Sequence, residues 1–273
     1  MNRHLPHEGV TRFDGPGAAD WPMPSYASNG SHQGRDLSAR AVEHQAFSTD
    51  NDWQPDSAEA VYQGGGRQVP IGGTPKRVLD ILVALTALLL SLPVMLVAAA
   101  LIKITMGGPV LFKHKRIGFQ GKPFYCYKFR TMVSNGDQVL AEYLSRHPEA
   151  RREWEENRKL RNDPRVTFLG AMLRKSSIDE LPQLFNVLKG EMSCVGPRPV
   201  VAEELERYGS AAAIYLRTRP GMTGLWQTSG RSCVDYARRV AYDVDYGRNW
   251  SLMRDLFILA RTVVVVANFR EAA

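Results

Sequence analysis

A run of 22 residues without a charge, ILVALTALLLSLPVMLVAAALI from Ile81 to Ile102, constrains this chain more than any other feature. At a helical rise of about 1.5 Å per residue it reaches roughly 33 Å, enough to cross the hydrocarbon core of a bilayer. It is apolar on every face, so it has no polar side to turn toward water. That argues against a soluble core helix and for membrane contact. Ser91 and Pro93 stand at its centre, where proline removes a backbone donor and strains the preceding turn. Lys76 and Arg77 precede the run, and Lys103, Lys113, Lys115 and Arg116 follow it. The positive-inside bias ordinarily marks one end of a spanning helix. Basic flanks at both ends place both on the cytosolic side, so the segment is expected to enter and return through one leaflet, with its elbow at Ser91–Pro93. Each arm of about 11 residues would be roughly 16 Å long, half the hydrocarbon thickness. A kinked spanning helix is the alternative, because proline is tolerated in membrane helices.

Near the carboxyl end, Trp250, Leu252, Met253, Leu256, Phe257, Leu259, Val263, Val264 and Val266 alternate with Arg248, Arg254, Asp255, Arg261 and Arg270. This is the pattern of an amphipathic helix, either lying in the membrane interface or packed on a domain core.

Charge is unevenly distributed. Residues 1–75 hold 5 basic and 9 acidic side chains, a net −4, so the formal +7 of the chain leaves +11 for the remainder. The first 70 or so residues are rich in Gly, Ser, Asp, His, Gln and Pro and lack a sustained apolar period, so they cannot bury enough apolar area to offset chain entropy. A disordered polar tail over 1–74 is expected. It lacks the apolar core of a secretory signal. Cys126, Cys194 and Cys233 are far apart and odd in number. They suit small buried apolar residues in a reducing cytosol better than a disulfide framework or a zinc cage.

Between the membrane elements lies a basic region. Residues 107–132 alternate aromatic and apolar residues with Lys and Arg around a glycine-containing turn, which predicts a short β-hairpin with Lys128 and Arg130 on one face. A charged helical stretch follows near 137–160, then a turn at 161–167. The segment Lys175-Ser176-Ser177-Ile178-Asp179-Glu180-Leu181-Pro182 sets two carboxylates side by side ahead of a helix that is expected to stop at Lys189-Gly190. Ser176 or Ser177 followed by acids fits an N-terminal capping box, and acids are favoured in a first helical turn. Adjacent carboxylates can also divide the work of nucleophile and divalent-metal ligand, provided that cations hold an anionic substrate. Such cations recur on Gly/Pro loops: Arg198 between Pro197 and Pro199, Arg217 and Arg219, and Arg231 after Gly230. A phosphate contact is the functional reading of Arg198, and a rigid structural loop is the bland one. Nucleic acid is a weaker account of the charge, because the chain has no Walker loop, zinc-finger spacing or recognition motif. His114 and His147 lack suitably spaced partners for a metal.

Together, Lys76-Arg77-x-x-Asp80, Lys128-Phe129-Arg130-Thr131-Met132, Asp179-Glu180-Leu181-Pro182-Gln183-Leu184-Phe185-Asn186, Gly196-Pro197-Arg198-Pro199 and Arg219-Pro220-Gly221-Met222-Thr223-Gly224 resemble the bacterial sugar transferase family, the monotopic phosphoglycosyl transferases that act on polyprenyl phosphate. The resemblance spans about residues 75–268 and is to the short, exopolysaccharide-initiating form. It implies an α+β, mostly helical monotopic protein with a re-entrant helix over 75–106, a catalytic domain over 107–268, interfacial amphipathic helices and a small β element. It places that domain on the cytosolic face of the bacterial inner membrane, among membrane phospholipids, and is compatible with homo-oligomers. The activity it implies is transfer of a hexose 1-phosphate, galactose or glucose, from a UDP-sugar to undecaprenyl phosphate, with release of UMP. Asp179 would be the nucleophile that carries a covalent phosphosugar, Glu180 (with Asp179) a ligand of Mg2+, and Lys128, Arg130, Arg198 and Arg219 phosphate or nucleotide contacts. Ser91 and Pro93 would form the membrane elbow, although Leu92 separates two residues that are adjacent in some relatives. The rival of a different class is an inert membrane scaffold that binds anionic lipid and assembly partners.

Overall fold

The uncharged run folds as part of one long helix, α1, which runs from Gly73 to Met106 without interruption. The computed structural model describes residues 69–157, 159–229 and 235–267. Most of the tail expected over 1–74, together with Gly230, Arg231, Cys233 and Arg270, lies outside the described residues. No break interrupts the helix at Ser91–Pro93, where Pro93 sits inside helix that continues on both sides, so a re-entrant path requires a bend at the proline rather than an interruption. Proline forfeits one backbone bond, and the leucines, alanines and methionines around it are strong helix formers that keep the rest of the ladder. Ser91 Oγ turns inward to 3.5 Å from the Leu88 carbonyl. The helix stops at Gly107, whose positive φ of 59° suits only glycine.

One stripe of α1 is buried, through Lys76, Asp80, Ala84, Met95, Ala98 and Ile102. The opposite side exposes large apolar side chains, with Leu89 74% and Leu90 75% accessible at mid-helix. Three polar side chains fasten its first turns. Lys76 Nζ donates to Asp255 Oδ2 at 2.6 Å, in a buried pair whose other donors are Tyr246 OH and Trp250 Nε1. Arg77 donates to the Val187 and Leu188 carbonyls at 2.6 and 2.8 Å. Asp80 Oδ1 accepts from Ser193 Oγ and Cys194 N, both at 2.9 Å.

After α1 comes the expected hairpin. Strand β1 (Leu111–Ile117) pairs antiparallel with β2 (Pro123–Phe129), with Leu111 opposite Phe129. Asn186 covers the other edge of β2, accepting from Tyr127 N at 3.0 Å and donating to the Tyr125 carbonyl at 2.7 Å. The charged stretch forms two helices, α2 (Gly136–Arg146) and α3 (Pro148–Asn157), divided where Pro148 begins a new first turn. Helix α4 (Phe168–Lys175) is capped by Thr167 Oγ1, which accepts from Gly170 N at 3.0 Å. A single 3-10 turn, Ile178–Glu180, leads to α5 (Gln183–Lys189), and α5 ends as expected at Gly190, whose φ is 84°.

Strands β3 (Ser193–Val195) and β4 (Gly221–Thr223) form a second, parallel ladder, joined through α6 (Ala202–Glu206) and α7 (Ala212–Leu216). The two backbones approach so closely that a Cβ on Gly221 would stand 2.1 Å from Gly196 N. Helices α8 (Leu225–Thr228), α9 (Tyr236–Arg248) and α10 (Leu252–Ala267) complete the described chain. The main core joins Ala84 of α1, Phe124 and Cys126 of β2, Leu184 and Val187 of α5, Cys194 of β3, Tyr246 of α9 and Ile258 of α10. Cys126 and Cys194 are buried within it. Helix α10 is amphipathic in an unexpected sense. Asp255 faces inward with Ile258, while Met253, Phe257, Val263 and Val264 face outward. The described chain is thus mostly helical with two small sheets, and one helix is long and apolar enough to cross a membrane.

Candidate active site

Asp179 and Glu180 occupy the 3-10 turn between α4 and α5 rather than the first turn of a helix. The serine capping box does not form. Ser177 is left-handed at φ 57° with no side-chain cap bond, and Ser176 Oγ donates back to the Met172 and Leu173 carbonyls at 2.9 and 3.1 Å. The acids are therefore free of a local capping role. Their partners are cations brought from three other elements.

Lys128 of β2 reaches Glu180 Oε1 at 2.6 Å. Arg198, carried by the loop after β3, is near enough for its charge to act on Glu180. Arg174, in the last turn of α4, acts on Asp179 and donates from Nε to Thr131 Oγ1 at 2.9 Å. Close packing places Arg174, since a Cβ on Gly170 would meet the Thr131 carbonyl oxygen at 2.0 Å.

The two carboxylates separate in acidity. Asp179 is 8% exposed. Burial, reinforced by the charge of Glu180, pushes its carboxyl up to about 6, with Lys128 and Arg174 opposing. Burial also acts to raise Glu180, but Lys128 and Arg198 outweigh it and hold that carboxyl below its ordinary range. Near neutral pH Glu180 is thus a firmly ionised anion, and Asp179 an ionised but more basic one. Behind them, burial and the charges of Arg116 and Lys128 lower His114 to about 4, so the neutral ring accepts from Arg116 Nη2 through Nδ1 at 3.0 Å. Arg116 also pairs with Glu204 at 3.3 Å.

Of the four cations expected at the site, Lys128 and Arg198 are brought to the carboxylates and two are not. Arg130 is buried and donates to the Met106 and Gly107 carbonyls at the end of α1. Arg219 donates from Nε to the Gly190 carbonyl at 2.9 Å, at the end of α5. Both complement the negative ends of helices. Ser91 and Pro93 lie at mid-α1, away from this chemistry. Arg174 was not singled out in the sequence; its only signal was a Lys/Arg pair ending the helix just before the acidic turn.

Among the described residues, no group of three His, Cys, Asp or Glu side chains converges to cage a metal. His147 instead stacks on Tyr143 at 4.2 Å. One or two carboxylates completed by phosphate oxygens and water form the donor set that magnesium ordinarily takes, and the Asp179–Glu180 pair fits it.

A family model described as bacterial sugar transferase matches residues 72–269. The chain is 57% identical over 201 residues to the exopolysaccharide production protein ExoY of Rhizobium meliloti (strain 1021), covering 74% of this chain and 89% of that protein. It is 53% identical over 192 residues to the undecaprenyl-phosphate galactose phosphotransferase of Salmonella typhimurium, covering 70% of this chain and 40% of the relative. It is 40% identical over 198 residues to the UDP-glucose:undecaprenyl-phosphate glucose-1-phosphate transferase of Klebsiella pneumoniae, covering 69% of this chain and 39% of the relative.

Proposed function

The chain belongs to the bacterial sugar transferase family, and from that premise we propose that it moves a hexose 1-phosphate from a UDP-sugar to undecaprenyl phosphate, with Asp179 as the nucleophile. The observation that carries this reading is the pairing of a buried, basic carboxylate with an ionised one inside a group of cations. Asp179 is the better nucleophile of the two, and Lys128, Arg174 and Arg198 offset the repulsion that opposes attack of one anion on another.

An Asp179 carboxylate oxygen attacks the phosphorus that bears the sugar, and the new O–P bond forms as the bond to UMP breaks. UMP leaves with the electron pair. A phosphate oxygen of the lipid carrier then attacks the same phosphorus, forms the diphosphate linkage and restores the Asp179 carboxylate. Two displacements let one carboxylate serve a soluble donor and a membrane acceptor in turn. Magnesium held by Glu180 and Asp179 would supply charge neutralisation on the phosphate oxygens. The sugar is galactose or glucose, in keeping with the names of the relatives, and the product is the first lipid-linked sugar of an exopolysaccharide.

The same reading has α1 dip into one leaflet of the inner membrane, with the catalytic domain on the cytosolic face. It is supported by the fact that both ends of α1 pack on one body. Lys76 meets α10, Asp80 meets β3, and Ile102 packs with Phe129 and Leu173. A crossing helix would carry one end about 30 Å beyond the face on which the domain sits. Asp179→Asn should reduce UMP release from a UDP-sugar by at least about 10³-fold while the protein stays membrane-bound. Near-normal UMP release by that variant would overturn the nucleophile assignment.

A further inference from the structure

Arg198 is exposed, and the loop that carries it is built so that few backbone groups can hold it. Pro197 and Pro199 flank it, and neither has an N–H to give. On the amino-terminal side the loop is tied to the β3–β4 ladder, with Gly221 N donating to the Pro197 carbonyl at 2.7 Å and Gly196 N to the Thr223 carbonyl at 2.9 Å. On the other side the first donor beyond Arg198 is Val200 N, and it goes to a side chain. Val200 and Ile117, the last residue of β1, form an isolated antiparallel bridge. A hydrogen-bonded antiparallel pair ordinarily exchanges two backbone bonds. Here one is direct, Ile117 N to the Val200 carbonyl at 2.9 Å, and the other is relayed. The hydroxyl of Tyr215, on α7, accepts from Val200 N at 3.2 Å and donates to the Ile117 carbonyl at 2.7 Å. Tyr215 is 1% exposed, and Val200 and Ile117 are buried with it. Burial pushes the phenol well above the ordinary tyrosine range, so it stays protonated and can fill both roles. Tyr208 meets its ring edge-on at 5.5 Å and donates in turn to the buried Asp243 carboxyl at 2.8 Å.

We infer that Tyr215 is a positioning residue of the transfer reaction: its hydroxyl, clasped between Val200 N and the Ile117 carbonyl, fixes the loop that presents Arg198 to a substrate phosphate. The inference rests on the phosphoglycosyl transferase reading. The clasp joins two segments that must agree. Strand β1 pairs along its length with β2, which carries Lys128, and Lys128 and Arg198 are the two cations that act on Glu180. Tyr215 thereby sets where one cation stands relative to the other. Pro199 has a fixed φ, so a shift at Val200 passes to Arg198 with little slack. Without the hydroxyl, Val200 N and the Ile117 carbonyl are left unpaired in the interior or must close on one another, and either outcome disturbs the loop.

The test is the full-length, membrane-embedded enzyme carrying Tyr215→Phe, which keeps the ring and removes the hydroxyl. Single-turnover UMP release should slow by about tenfold or more, as expected when a phosphate contact is displaced. The same substitution is then made in an Arg198→Ala background, with every rate taken at a temperature where thermal melting shows the variant folded. A residue that acts through Arg198 has nothing left to position there, so Tyr215→Phe should cost less than about twofold. A loss in that background as large as in the parent would show that the hydroxyl only holds the fold, and would overturn the proposal. A Tyr215→Phe enzyme within about twofold of the parent would overturn it as well. Absence of UMP release by the unsubstituted enzyme would instead overturn the transferase reading. Should Tyr215→Phe fail to accumulate, replacing Val200 by its α-hydroxy acid removes the N–H from the other side of the clasp. The same comparison with and without Arg198→Ala then decides, equal losses overturning the proposal.

Discussion

Asp179 and Glu180 are neighbours in sequence and nearly the same side chain, yet their surroundings drive them to opposite sides of the ordinary carboxylate range. The charged form of Asp179 opposes folding. That opposition is absent below its usual value near 3.8, grows as pH rises, and is complete above about 6, where the anion that the proposed attack requires also prevails. Lys128 sits close enough to both acids to control this balance. Lys128→Met removes a cation that favours both anions, so the acid limb of single-turnover UMP release should move above pH 6, with activity lost at neutral pH and recovered in alkali. A profile scaled down without moving would show that Lys128 only packs. At this scale the sequence made the acidic pair, Lys128 and Arg198 legible, because distinctive motifs carry them. It did not distinguish them from Arg130 and Arg219, because which cation serves a helix end depends on where carbonyls are left open after folding.

Elements were legible where a local rule decides them. The hairpin, the stop at Gly190 and the helix from Leu252 all follow from turn residues and periodicity. The break at Pro93 was not such a case, since one lost bond does not outweigh a long run of helix formers. Nor was Asp255, which looks like a polar-face residue and instead lies beneath α10, where Lys76, Tyr246 and Trp250 donate to it. This buried pair ties the first turn of α1 to α10. Lys76→Met should destabilise the protein by about 3–5 kcal/mol by leaving a buried carboxylate without its counter-charge. Thermal melting of the detergent-solubilised protein measures this, and adding Asp255→Asn should recover part of the loss.

Across the whole molecule, apolar side chains are exposed along the outer side of α1, on Met253 and Phe257 of α10 and on Phe168 of α4, more than a water-soluble surface ordinarily shows. Single cysteines at Val69 and Lys113, in a chain with Cys233 replaced by serine, report the topology. An impermeant thiol reagent should reach both only from the cytosolic side, and labelling from opposite sides would establish a spanning helix. The helix long and apolar enough for a membrane was readable because an uncharged run of that length has few other uses. The path of α1 was not, because it depends on packing against β3, α5 and α10, segments distant in sequence. Helix α5 gives this packing a mechanical meaning. Its carbonyl end is gripped by Arg77 of α1, and its other end runs back into the turn that bears Asp179. A strut of seven residues, about 10 Å long, transmits displacement with little bending. On the proposed function, the depth at which α1 rides in the lipid is thereby geared to the position of the Asp179 carboxylate, and bilayer thickness becomes a coordinate of the reaction centre.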